Sequence, residues 1–219
     1  MTVRYDTGEV EELDAAAFFR PPEDMDVLDL RALDGAKGRV LDVGAGAGAH
    51  ALALEARGLA VTALELVPEA ARVLRSRGLA DVVEADLWRF SPRRRYDTVL
   101  ALMNGAGLAG TLGRLASLIQ RLGSFLAPGG ALLMDSADLT EDAGPDTGDG
   151  RYPGDLQIQL AYRGAKGPPF PHVFVDPTRL EAAARAAGWQ AVILARDGEG
   201  RYLARLTLAE SATPRGRRG

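Results

Sequence analysis

The 219-residue chain is 47% apolar and sets 26 basic residues against 30 acidic ones. That suffices for one sizeable core, and a net charge of −4 argues against general attraction to nucleic acid or to an anionic membrane. With no cysteine and only His50 and His172, the chain excludes disulfides, thiolate metal sites and cysteine nucleophiles, and no metal site is expected.

The N-terminal stretch is acidic and has no apolar segment of signal-peptide length. No later run is long enough to cross a bilayer, so a cytoplasmic protein is the expectation. Residues 1–38 read as a lid or cap, with Phe18, Phe19 and Met25 as apolar cover. Arg39–Val43 reads as a short buried strand, followed by a helix from about Ala47 to Arg57 that stops at Gly58. Ala60–Leu64 is a second strand, and Pro68 opens a helix that Gly78 closes. Asp81–Glu84 and Tyr96–Leu102 are the third and fourth strands. Leu112, Leu115, Leu118, Ile119 and Leu122 fall on one face of a helix expected over Thr111–Leu126. A turn at Ala127–Gly130 leads to a fifth strand, Ala131–Asp135.

The rhythm then breaks. Residues 136–175 form an insert that begins with a loop rich in Asp, Gly and Pro. It continues as a half-buried strand, Asp155–Tyr162, in which apolar and polar residues alternate. A turn-rich connection leads to a short strand at His172–Val175, and Asp176 or Thr178 can cap the helix that follows. Gln190–Ala195 and Tyr202–Leu208 form a closing hairpin, and the tail, residues 209–219, is expected to be disordered. Strands alternating with helices predict an α/β fold, a parallel sheet covered on both faces.

The stretch VLDVGAGAGAH, residues 40–50, places a glycine turn between strand and helix. There bare backbone and the positive end of a helix can meet a ligand. Gly44, Gly46 and Gly48 followed by Ala49 satisfy both G-x-G-x-G and the dinucleotide pattern G-x-G-x-x-G/A. Three acids at successive strand ends separate the two. Asp42 precedes the first glycine and can fix the loop by accepting from its amides. Glu65 ends the next strand, where it can accept two hydrogen bonds from a ribose diol. Asp86 closes the third, where it can accept from an exocyclic amino group, with Leu87 and Trp88 as apolar contacts.

Taken as a set, DVGAGAG, Glu65, EADLW, YDTVLALMN, LAPGGALLMD and the terminal hairpin resemble the class I S-adenosylmethionine-dependent methyltransferases over Arg39–Leu208. LMNGAGLAGT and YLARL are similar to a bacterial group of them. The resemblance implies a Rossmann-like doubly wound sheet of seven strands in the order 3-2-1-4-5-7-6, strand 7 antiparallel, with a small strand insert after strand 5. It implies one methyltransferase domain over residues 39–208. S-Adenosylmethionine is the methyl donor it implies, laid on Asp42, Gly44, Ala45, Gly46 and Gly48. Glu65, Leu66, Asp86, Leu87, Met103 and Asn104 complete the implied set.

The acceptor side is less specific. Asn104 ends the fourth strand, but Gly105-Ala106-Gly107 stands where amino-methyltransferases often carry proline and an aromatic, which argues against a flipped base as acceptor. His50 lies in the first turn after the glycines, where the helix end is expected to lower its pKa. His172 lies beside the insert. Asn104, His50 and His172 are the candidate catalytic residues. Asp135 and Asp138, with Asn104, only faintly resemble the carboxylate and amide set of metal-dependent catechol methyltransferases, whose adjacent Asp-Asn pair their spacing does not match. The basic run Arg93–Arg95 precedes the fourth strand and belongs at the far edge of the sheet. The expected activity is methyl transfer to oxygen or nitrogen of a small-molecule acceptor; a homodimer is compatible with the sequence. Two alternatives stand: a non-catalytic module that binds S-adenosylmethionine or S-adenosylhomocysteine, and an NAD(P)-dependent oxidoreductase.

Overall fold

The computed structural model describes residues 1–140 and 151–209. A seven-stranded sheet forms the centre. In chain order its strands are β3 (Arg39–Val43), β4 (Ala60–Glu65), β5 (Asp81–Glu84), β6 (Tyr96–Ala101), β7 (Leu126–Ala137), β11 (Trp189–Arg196) and β12 (Arg201–Leu208). Across the sheet they run β11-β12-β7-β6-β3-β4-β5. β3 to β7 are parallel, and β12 enters antiparallel against β7. This is the expected order, including the reversed strand.

The helices are α1 (Val27–Gly35), α2 (Ala49–Ala56), α3 (Pro68–Ser76), α4 (Leu115–Gly123) and α5 (Pro177–Ala186). The two-residue period of the strands divides the core between the faces. Val40, Leu100, Leu133 and Leu203 pack on α1, α2 and Leu74 of α3. Leu41, Val99, Leu132 and Tyr202 pack on α4 and α5 on the other face. Leu115, Leu118, Ile119 and Leu122 of α4 are fully buried; covering each contributes about 1.5–3 kcal/mol.

Three elements differ from expectation. α4 is shorter than Thr111–Leu126: Leu112–Arg114 forms a 3-10 turn before it, with Gly113 in its middle. Ala127–Gly130 is no turn but an irregular stretch inside β7, where the register with β6 shifts between Tyr96 and Thr98. The N-terminal segment is more than a cap. β1 (Thr2–Tyr5) and β2 (Val10–Glu12) pair with each other, and β1 pairs with β8 (Asp155–Tyr162) of the insert. β9 (Ala165–Lys166) and β10 (Phe170–Val173) complete this second sheet. Val3, Leu156 and Ile158 form its small core. Tyr162, at the end of the apolar face of β8, is exposed, with Arg163 over its ring. Most of the insert's first loop and the tail beyond Ala209 lie outside the described residues.

Candidate active site

A cleft of 440 Å³ opens at the carboxyl ends of β3 and β6. From β3 the chain order runs to β4 on one side and β6 neighbours it on the other, the switch point at which open α/β sheets take ligands. Arg93–Arg95 precede β6 and lie at the opposite end of the sheet.

One wall is the loop Gly44–Gly48. Its glycines have φ of 72°, 57° and 87°, left-handed values that side chains resist. Bare backbone therefore faces the cleft. Glu65 holds the loop: Oε2 accepts from Gly46 N and Oε1 from Val67 N, both at 2.8 Å. Asp42 was expected to accept from the loop amides; it sits instead on the strand face that carries α2, and the neighbouring strand tip supplies the carboxylate. Asp42 is buried, and its Oδ2 has no hydrogen-bond partner among the described residues. Burial pushes its carboxyl up to about 6, Glu65 adds to that, and His50 and the Ala51 amide in the first turn of α2 act against it.

Behind Asp42 lies a buried ion cluster. His50 Nε2 donates to Asp29 Oδ1 at 2.7 Å, and Arg20 donates to Asp29 Oδ2 through Nη2 at 2.6 Å and Nε at 2.9 Å. The helix end was expected to lower the His50 pKa; the opposite direction holds. Burial works against the charged ring, but the Asp29 bond and the charges of Asp42 and Asp29 outweigh it, and the pKa rises. Burial likewise opposes the charge on Asp29, yet the bonds and charges of His50 and Arg20 hold its carboxyl below the usual range. Arg77 lies over the Phe19 ring and donates to Ala47 O at 2.5 Å, joining the N-terminal segment to the glycine loop.

The opposite wall is the loop after β6. Met103 and Asn104 adopt φ of 61° and 60°, a conformation that costs such residues energy and persists only where surroundings enforce it. Asp135 enforces it, accepting from Asn104 N at 3.1 Å and Gly105 N at 2.8 Å. Burial raises its carboxyl to about 6 against those two amides. The Asn104 side chain is fully engaged: Nδ2 donates to Val173 O at 3.1 Å and meets His172 Nε2 at 2.7 Å, while Oδ1 accepts from Ser136 Oγ at 2.8 Å. Burial pushes the His172 ring down to about 4.

Of the residues singled out in the sequence, Asp42, Gly44, Ala45, Gly46, His50, Met103, Asn104 and His172 line this cleft. Glu65 and Gly48 support its wall; a Cβ on Gly48 would lie 2.6 Å from Leu74 Cδ2. Leu66 is exposed. Asp86 caps the turn after β5, accepting from Trp88 N at 2.8 Å, and Leu87 packs towards α4. Asp138 accepts from Thr140, and among the described residues no three His, Asp or Glu side chains cluster as a metal site. Sequence reasoning missed Arg20, Asp29, Ser136 and Arg114, none of which sits in a local motif.

A family model described as a methyltransferase domain matches residues 17–194. The chain belongs to that family. Its sheet and switch-point cleft are those of the class I S-adenosylmethionine-dependent methyltransferases. A comparison with curated proteins gives no match. Among solved structures, the chain is similar to a SAM-dependent methyltransferase from Bacteroides fragilis in complex with S-adenosyl-L-homocysteine. The two are 34% identical over 95% of this chain and 87% of that one, with a TM-score of 0.86. It shares its fold with the CcbJ methyltransferase from Streptomyces caelestis, at 19% identity over 91% of this chain and 100% of that one, TM-score 0.69. The sugar N-methyltransferase KedS8 from a Streptoalloteichus species is 18% identical over 93% of this chain and 96% of that one, TM-score 0.57. Among the described residues, no helix is long and apolar enough to cross a membrane.

Proposed function

We propose that the protein transfers a methyl group from S-adenosylmethionine to an oxygen or nitrogen of a small-molecule acceptor. The observation that carries this reading is Asp42 Oδ2, a buried carboxylate oxygen without a partner among the described residues, at the floor of the cleft. Such an atom is costly unless a donor reaches it, and the ammonium of a methionine moiety is a donor of suitable charge. The fit extends along the wall. Gly44–Gly46 offer backbone to the methionine chain, and Glu65 keeps lone pairs for ribose hydroxyls beside its two amide bonds. Asp86 and Leu87 stand further along the same row of strand tips, for adenine.

The donor, when bound, supplies a methyl carbon on a positively charged sulfur that leaves as a neutral thioether. The chain's task is then position: it holds nucleophile, carbon and sulfur in line near contact distance. The clamped loop Met103–Gly107 is placed to set the acceptor's distance. The N-terminal segment, with Phe18 lining the cleft and Arg77 tying Phe19 to the loop, is placed to exclude water. A neutral amine needs no base before attack and releases its proton afterwards; a hydroxyl would need one. His50, held by Asp29, is the ring in this cleft whose basicity is raised.

Tritium transfer from labelled S-adenosylmethionine to a panel of small amines and alcohols, with donor binding measured in parallel, tests the proposal. Transfer to one of them supports it. Tight donor binding with no turnover on any acceptor favours a non-catalytic module.

A further inference from the structure

The far arm of the cleft carries two polar groups that no hydrogen bond among the described residues uses. One is the second nitrogen of His172. Val173 O can only accept, so the Asn104 atom facing it at 3.1 Å is the amide nitrogen Nδ2, and Oδ1 accepts from Ser136 Oγ, which itself accepts from Val175 N at 2.9 Å. The second Nδ2 proton goes to His172 Nε2 at 2.7 Å. A ring nitrogen that accepts carries no proton, so the His172 proton sits on Nδ1. The ring is wedged in that pose: a Cβ on Gly107 would lie 2.2 Å from its Cε1, and Phe174 meets it edge-on at 5.2 Å between centroids. His172 lines the cleft. Its Nδ1 has no partner among the described residues and is not sealed from solvent.

The other group is Arg114, which lines the same arm. Its guanidinium stacks on Trp88, 5.1 Å from the ring centroid, and no carboxylate among the described residues pairs with it. A guanidinium over a ring keeps its N–H groups available, and these receive a carboxylate or phosphate. Around these two groups Leu108, Ala109, Phe170 and Pro171 offer apolar surface. The cleft is thus polarised: among the described residues, the open Oδ2 of Asp42 stands at the glycine loop, and the Arg114 cation and the His172 N–H without acceptors stand in the far arm.

We propose that the acceptor bears an anionic oxygen group, a carboxylate or a phosphate-type oxyanion, which His172 Nδ1–H and the Arg114 guanidinium hold in this arm. The assignment rests on the methyl-transfer reading of the same cleft. In it His172 is a donor that positions the acceptor and takes no proton from it.

With two histidines in the chain, long-range proton–nitrogen NMR can read each ring. A His50→Gln variant assigns them. The expected spectrum at neutral pH has His172 Nδ1 protonated and Nε2 bare; the reverse tautomer overturns the proposal. Inorganic phosphate is then titrated into protein saturated with S-adenosylhomocysteine. The expected result is a saturable shift at His172 Nδ1 that Arg114→Gln weakens by about tenfold, the loss of one charge-assisted contact. No shift, or the same affinity in the variant, overturns it. Saturation with S-adenosylhomocysteine is measured first. Its failure sinks the methyl-transfer reading itself, whereas bound S-adenosylhomocysteine with a phosphate-blind His172 sinks only the acceptor class.

Discussion

The two walls of the cleft are built by different means. The wall proposed for the donor is made from main chain and strand-tip carboxylates: three glycines in left-handed conformation, with Glu65 gripping the Gly46 amide. The wall proposed for the acceptor is made from side chains that meet from distant segments: Asn104, Asp135 with Ser136, and His172 on a separate sheet. The first offers a ligand atoms that every residue possesses. The second draws on both sheets, since His172 lies on β10, which pairs with β8 of the insert. The lesson is that one wall can be changed while the other keeps its task, and substitutions should separate the two.

The largest separation is expected at Glu65. Glu65→Ala removes the acceptor for the Gly46 and Val67 amides together with the proposed ribose contact, so calorimetry should show donor affinity weakened by about 2–4 kcal/mol. Unchanged affinity would mean that the loop does not hold the donor. Asn104→Ala is the converse. It strips partners from Ser136, Val173 and His172, and should lower stability against urea by about 2–3 kcal/mol. Donor affinity in that variant should stay within a few-fold of wild type, and a collapse in donor binding would show that the walls are coupled.

A smaller effect separates the walls by pH. If the donor's ammonium pairs with ionised Asp42, whose carboxyl is raised to about 6, acidification must cost affinity. Donor binding should weaken about tenfold between pH 7 and pH 5, and Asp42→Asn should bind more weakly and without that slope. On the acceptor wall the sign concerns stability. His172 is depressed to about 4 from an ordinary value of 6.5, so the unfolded chain binds the proton first. The stability present above 6.5 is lost as pH falls towards 4. Asp42 and Asp135, both raised to about 6, act in the opposite sense but are common to both proteins. The stability gap between wild type and His172→Asn should therefore narrow by about 1 kcal/mol from pH 7 to pH 5.5. A constant gap in urea titrations would mean that the ring is not held neutral.

Legibility in the sequence followed the same division. The strands themselves, the closing hairpin and the glycine loop are readable because each depends on short-range patterns: two-residue alternation, glycine turns, an acid at a strand end; the strand order is legible only through the family resemblance that those motifs carry. Within that loop the sequence could not say which acid grips it, since Asp42 and Glu65 are both strand-tip carboxylates and only side-chain direction separates them. His50 was misjudged for a related reason. The helix end is local and visible, but the bond and charge of Asp29, 21 residues away, and the charge of Asp42 reverse its effect. The clamp of Asp135 on the Asn104 loop spans 31 residues and the His172 contact 68, and no motif announces either. LAPGG looked like a turn because proline and glycine usually make one; inside β7 the same residues absorb a shift in register.

A crystal structure with S-adenosylhomocysteine tests the central claim most directly. The account predicts the methionine moiety over Gly44–Gly46 with its ammonium on Asp42, the ribose at Glu65 and the adenine towards Asp86. Density for the ligand in the second cleft instead, between Arg39, Thr62 and Tyr96 at the far end of the sheet, would contradict it.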